Sequence, residues 1–234
     1  MSNPSTVTLQ LAAAVANGIA QAQAVAAAGN LTLNGSLVTA GVAILGTNGV
    51  ARRVLLASSG NDATVVFTVT GTDRNGNAQS ETVTGLNGAA TQYTLRDFLT
   101  VTQIAASAVC VGNITAGTNG VASSPWVLDD FTHETWMVAV GVSIAAGSAT
   151  YTVEHTYDDP NKIGTTLVAL PEQWSVNPAS YVPAKAWPHP ILVGLTADAE
   201  GTYDNKPVFA HRLTITTGTG LVVMQTIQAG IGQS

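Results

Sequence analysis

Val65-Val66-Phe67-Thr68-Val69-Thr70-Gly71-Thr72, then Asp73-Arg74-Asn75-Gly76-Asn77, then Ala78-Gln79-Ser80-Glu81-Thr82-Val83, is the stretch that decides the fold class. In its first run Val65, Phe67 and Val69 share one face, while Val66, Thr68, Thr70 and Thr72 share the other. That period of two belongs to a strand with one buried side. Asn75-Gly76 supplies residues that accept positive φ, so the chain reverses and 79–83 returns antiparallel.

The same grammar continues outward. Runs rich in β-branched residues at 54–56, 64–72, 79–84, 98–104 and 109–114 alternate with turn signals such as Ser59-Gly60-Asn61-Asp62. This spacing predicts an all-β chain of antiparallel β-sandwich modules, immunoglobulin-like or jelly-roll-like. An internal repeat predicts two of them. Val66-Phe67-Thr68-Val69 matches Thr150-Tyr151-Thr152-Val153 at an offset of 84 residues (150 − 66). Leu99-Thr100-Val101-Thr102 matches Leu213-Thr214-Ile215-Thr216 at 114 (213 − 99), and Ile114-Thr115-Ala116-Gly117 matches Ile227-Gln228-Ala229-Gly230 at 113 (227 − 114). The order of the blocks is preserved, which favours duplication over coincidence.

The expected organisation is an Ala-rich N-terminal arm at 1–30, a first module at 31–120 and a second at 121–234. The growth of the offset places about 30 extra residues in the second module, an insertion at about 159–206. Ala12 to Gly29 fits either a short helix or an extended arm. The insertion region collects Pro160, Pro171, Pro178, Pro183, Pro188, Pro190 and Pro207 together with Trp174, Tyr181 and Trp187. Prolines fix an extended backbone in advance and aromatic rings provide anchors, so Trp174, Tyr181, Pro183, Trp187 and Pro188 are the candidate interface residues. The competing reading is a loop whose rings cap their own module. Thr118 to Pro125 is small and polar and marks the boundary, with Trp126 at the junction.

Charged residues make up only 9% of the 234, against about 25% in a typical soluble domain, so Thr, Ser, Asn, Gln and Gly must wet the surface. Few long charged chains need immobilising at such a surface, and it suits close packing against other protein. The net charge of −6 argues against specific nucleic-acid binding. The one basic doublet, Arg52-Arg53, is expected as the solvated start of a strand. The N-terminus lacks the basic region of a signal peptide, and the Ala-rich stretch is too weakly apolar and too interrupted for a membrane span.

No catalytic, cofactor or metal site is expected. The histidines His133, His155, His189 and His211 are far apart in sequence, without metal-ligand spacing. His155 alternates with Tyr151, Val153 and Tyr157 and is expected to be packed or interfacial. Cys110, the only cysteine, sits in an apolar run and is expected as a buried thiol. Asp73 to Asn77 lacks the Gly and Glu positions of an EF-hand loop. Asp129-Asp130 and Asp158-Asp159 are expected in solvated turns. No nucleophile elbow, P-loop or dinucleotide fingerprint is present, so the chain is expected not to be an enzyme.

Ala28-Gly29-Asn30-Leu31-Thr32-Leu33-Asn34-Gly35, Ala51-Arg52-Arg53-Val54, Phe67-Thr68-Val69-Thr70-Gly71-Thr72-Asp73 and Gly120-Val121-Ala122-Ser123-Ser124-Pro125-Trp126-Val127 resemble a family of tailed-phage virion proteins. The resemblance covers most of the chain. It implies a virion structural role, with head decoration or cement preferred and a tail or neck subunit as the alternative. Expected partners are the major capsid protein or other virion proteins and further copies of the chain in a homo-oligomer, in such proteins often a trimer. Such a protein is assembled in the host cytoplasm. A carbohydrate-binding or adhesive module, with Trp174, Tyr181 and Trp187 as a stacking platform, is the reading from another class.

Overall fold

The computed structural model describes residues 3–46, 50–88, 90–130, 137–158, 167–170, 173–176, 185–204 and 207–229. The described residues contain β-strands and no helix. The strands form several antiparallel sheets in two compact units, one of Leu11–Ala122 and one of Met1–Gln10 with Ser123–Ser234. Residues 1–30, expected as an arm, contribute strands to both units: Asn3–Leu9 to the second, and Ala20–Gln23 and Gly29–Asn30 to the first. Candidate interface residues Tyr181 and Pro183 lie outside the described residues, as do Pro160, Pro171 and Pro178.

In the unit Leu11–Ala122, one sheet runs Thr91–Tyr93, Val54–Ser58, Ile114–Thr118, Ala20–Gln23. The other carries the deciding hairpin: Phe67–Thr72 pairs on one side with Ala78–Val83 and on the other with Thr100–Ala106. One buried cluster takes Val54, Leu56, Ile114 and Ala116 from the first sheet and Phe67, Val69, Val101 and Ile104 from the second. Burying a side chain such as Phe67 is worth about 2–3 kcal/mol, so alternation in sequence becomes the driving force for the fold. The hairpin turn is held by Asp73, whose Oδ1 accepts the amides of Asn75 and Asn77 while Gly76 takes φ +82°.

Three sequence expectations need correction. Residues 109–113, read as part of a strand, form a loop in which Val109 is 58% and Val111 82% exposed; the strand begins at Ile114. The buried Asp62 carboxylate accepts the amides of Val111 (2.6 Å) and Gly112 (3.1 Å), replacing ladder partners. Arg52 is not solvated. It is 2% exposed, and its guanidinium donates to the Asn119 carbonyl at 2.7 Å and the Ala13 carbonyl at 3.4 Å. Asp129 is likewise buried, not in a solvated turn.

In the other unit, one sheet runs Asn3–Leu9, Leu221–Ala229, Met137–Ala146, Ala199–Asp204. The second places Ala210–Gly218 between Ala122–Ser123 and Ala149–Thr156, with Trp187–Pro188 beyond. The second sheet of the first unit runs Val38–Thr39, Val42–Ile44, Thr100–Ala106, Phe67–Thr72, Ala78–Val83, with Gly29–Asn30 also pairing with Thr100–Ala106. In the two four-stranded sheets, one in each unit, the strand earliest in the chain lies beside the latest, followed by the second and the third. In the other two the latest strand also lies beside the earliest, but Val42–Ile44 and Val127–Leu128 pair with it as well.

Registers can be compared as well. Leu55 pairs with Tyr93 and Ala139 with Thr202; Phe67 pairs with Ala106 and Tyr151 with Ile215; Leu56 pairs with Ala116 and Val140 with Thr226. The first members of these pairs are 84 residues apart (139 − 55, 151 − 67, 140 − 56). The partners are 109 (202 − 93), 109 (215 − 106) and 110 (226 − 116) apart. Thr70 pairs with Ser80 and Glu154 with Pro188, a partner spacing of 108 (188 − 80). The ladders therefore agree with one another and differ from the string matches at 114 and 113.

Candidate functional site

Strand Ala149–Thr156 has Ala210–Gly218 on one side, and on the other the segment 187–195 forms an edge. Pro188 has no N–H to give to a ladder and is tolerated because it lies on that edge. The chain then stays tied by His189 N to the Val153 carbonyl (2.8 Å), Val153 N to the Leu192 carbonyl (2.8 Å) and a reciprocal pair between Tyr151 and Leu195. Leu192 is driven inward, and Ile191 and Val193 are left outside at 61% and 46% exposure. Trp187 is 44% exposed with the Lys185 ammonium 4.0 Å above its ring, and Tyr157 is 56% exposed.

This edge carries two of the expected interface residues, Trp187 and Pro188, both exposed. Trp174 lies in the strand Gln173–Val176, which pairs with Leu167–Leu170. Tyr157, Ile191 and Val193 were not read as surface residues. Ile191-Leu192-Val193 is three apolar residues in a row, and nothing in the string says that only the middle one goes inward.

Beneath the edge, three distant histidines converge. The Tyr203 ring lies 4.5 Å from His189, 5.3 Å from His155 and 6.5 Å from His211, and the three histidines are at most 8% exposed. The expectation of a packed His155 fits its position, with Tyr157 edge-on at 5.3 Å. Burial holds His155 below the ordinary histidine value, and burial with the neighbouring imidazoles does the same for His189. Burial also pushes the Tyr203 phenol far above its usual range. Sequence spacing missed the group because its members come from three separate stretches of chain.

One hydrogen-bond chain here has the connectivity of a charge relay. His211 Nδ1 lies 2.9 Å from Asp129 Oδ2, and its Nε2 lies 2.8 Å from Thr226 Oγ1. Thr226 is 3% exposed, so its hydroxyl has no approach for a substrate and serves to satisfy the ring. Among the described residues no group of three or more His, Cys, Asp or Glu side chains is placed to hold a metal. The Cys110 thiol is raised by burial and by Asp62, which disfavours the thiolate a nucleophile needs. A shallow open depression is lined by Gly141, Ser143, Asp198, Glu200 and Gln225, but Asp198 is committed to the Ile144 amide at 2.8 Å. No described helix is long and apolar enough to cross a membrane.

No protein-family model matches the chain, and no curated protein or solved structure matches it.

Proposed function

We propose that this chain is a multi-copy structural protein of a tailed-phage virion, a capsid decoration or cement protein that bridges capsid subunits. In this reading it is built of two related β-sandwich modules that arose by duplication. The observation that carries the role is a chain with 9% charged residues that keeps Trp187, Ile191, Val193 and Tyr157 exposed around one sheet edge. Rigid aromatic and aliphatic groups on a charge-poor surface are the material of protein contacts, since they bury area without stranding charges. The matching order of the two four-stranded sheets and ladder spacings that agree within two residues support the duplication, and in this reading the extra length of the second module falls between Asp158 and Trp187.

The test is to add the purified protein to expanded capsid shells lacking it. Saturable binding with raised heat resistance of the shell is expected. Failure to bind, with recovery of the protein in separated tails, assigns it to the tail or neck instead. Binding to a glycan array that Trp187→Ala abolishes would favour the adhesive reading.

A further inference from the structure

His189 Nδ1 lies 3.2 Å from the amides of both Ile191 and Leu192 and accepts from them. This is the geometry of an Asx turn, with an imidazole nitrogen in place of a carboxamide oxygen. Because Nδ1 is the acceptor, the neutral ring carries its proton on Nε2, which lies against Gly201 and Thr202 of the facing sheet. The turn it closes seats Leu192, 1% exposed, and holds the Leu192 carbonyl on the Val153 amide.

A second proton can go only to Nδ1. The nitrogen then points an N–H at two N–H donors, both hydrogen bonds are lost, and two amides are left without their acceptor. Burial and the neighbouring imidazoles outweigh the Thr202 backbone contact, which favours the cation. His155 and Tyr203 face the ring from Ala149–Thr156 and Ala199–Asp204. His211 takes the Asp129 carboxylate for itself, and Glu154 is taken by Arg212 and Thr214. Lys185, on the same segment, lies over Trp187.

We propose that His189 is an acid-sensitive latch: uptake of one proton at Nδ1 releases segment 189–195 from the edge of strand Ala149–Thr156. The latch goes beyond the structural role and stands without it. Its folded-state pKa is depressed by burial, so the closed form has its full advantage above the ordinary histidine value and loses it as pH falls below. Acid would thereby rearrange the edge that presents Ile191 and Val193.

The experiment is amide hydrogen exchange of the full chain at pH 7.5 and 5.0, corrected for intrinsic rates, on the native protein and on His189→Asn. The asparagine Oδ1 replaces Nδ1 as acceptor but takes no proton. Protection of 189–195 is expected to fall about tenfold or more at pH 5.0 in the native protein. Protection of Leu221–Ala229 is expected to hold, and the variant is expected to show no fall. A native segment indifferent to pH, a variant that falls equally, or loss of protection throughout the unit at once would overturn the latch. Titration of the native histidine Cε1–H signals supplies an arm independent of how well the variant folds. The His189 midpoint should lie below the ordinary value and coincide with deprotection; a midpoint apart from it refutes the mechanism.

Discussion

The Asp62 carboxylate is 1% exposed and accepts Ser58 Oγ at 2.5 Å as well as the Val111 and Gly112 amides. Burial alone would raise its pKa, but these donors more than offset that and leave it below the ordinary carboxyl value. Asp62→Ala is therefore expected to cost about 3 kcal/mol at neutral pH, read by urea unfolding, because two amides of a turning loop lose their acceptor. A depressed carboxyl stabilises the fold above its unfolded pKa, so the gap between native protein and variant should narrow as pH falls below about 4. Equal pH profiles would sink that account. Gly71 makes a different demand. A Cβ there would lie 1.9 Å from the Thr100 carbonyl oxygen, which is backbone in the paired strand, so Gly71→Ala should destabilise by about 3 kcal/mol. Circular dichroism on heating would show a lowered midpoint, and an unchanged one would mean the ladder can give way.

At the scale of elements, alternation was readable wherever a strand has one wet face. Phe67–Thr72 buries Phe67, Val69 and Gly71 and leaves Thr68, Thr70 and Thr72 half-buried, as its string implies. The run 109–113 was misread because its apolar letters suit a strand, whereas its amides are claimed by an acid 49 residues away from Val111. The edge 187–195 was readable only as a place rich in proline and aromatics. Trp187→Ala is expected to change unfolding stability by about 1 kcal/mol, since the residue is 44% exposed at a sheet edge, yet to weaken binding to capsid shells at least tenfold. Parallel thermal melts and shell-binding titrations check both halves. A large loss of stability would instead make Trp187 a cap on its own unit.

At the scale of the whole molecule, the chain enters the unit Leu11–Ala122 once and leaves it once, while the other unit needs both Asn3–Leu9 and the residues from Ser123 onward. The fragment 11–122 should therefore fold alone, with a dispersed amide NMR spectrum, whereas a fragment starting at Ser123 lacks the strand that pairs along Leu221–Ala229. A collapsed spectrum for 11–122 would show that the units depend on each other. If the modules are duplicates, the ladders give partner spacings of 108 to 110, whereas the strings beyond the first half match at 114 and 113. Short Thr- and Val-rich blocks match at several offsets, and only paired backbones choose among them. Sequence by itself determined the all-β class, the deciding hairpin and the charge-poor surface, because alternation, turn chemistry and composition are local or additive. Tertiary structure alone decided the registers, the burial of Arg52 and Asp129 and the meeting of His155, His189 and His211 around Tyr203. Those depend on which distant backbones become neighbours, and no local pattern records that.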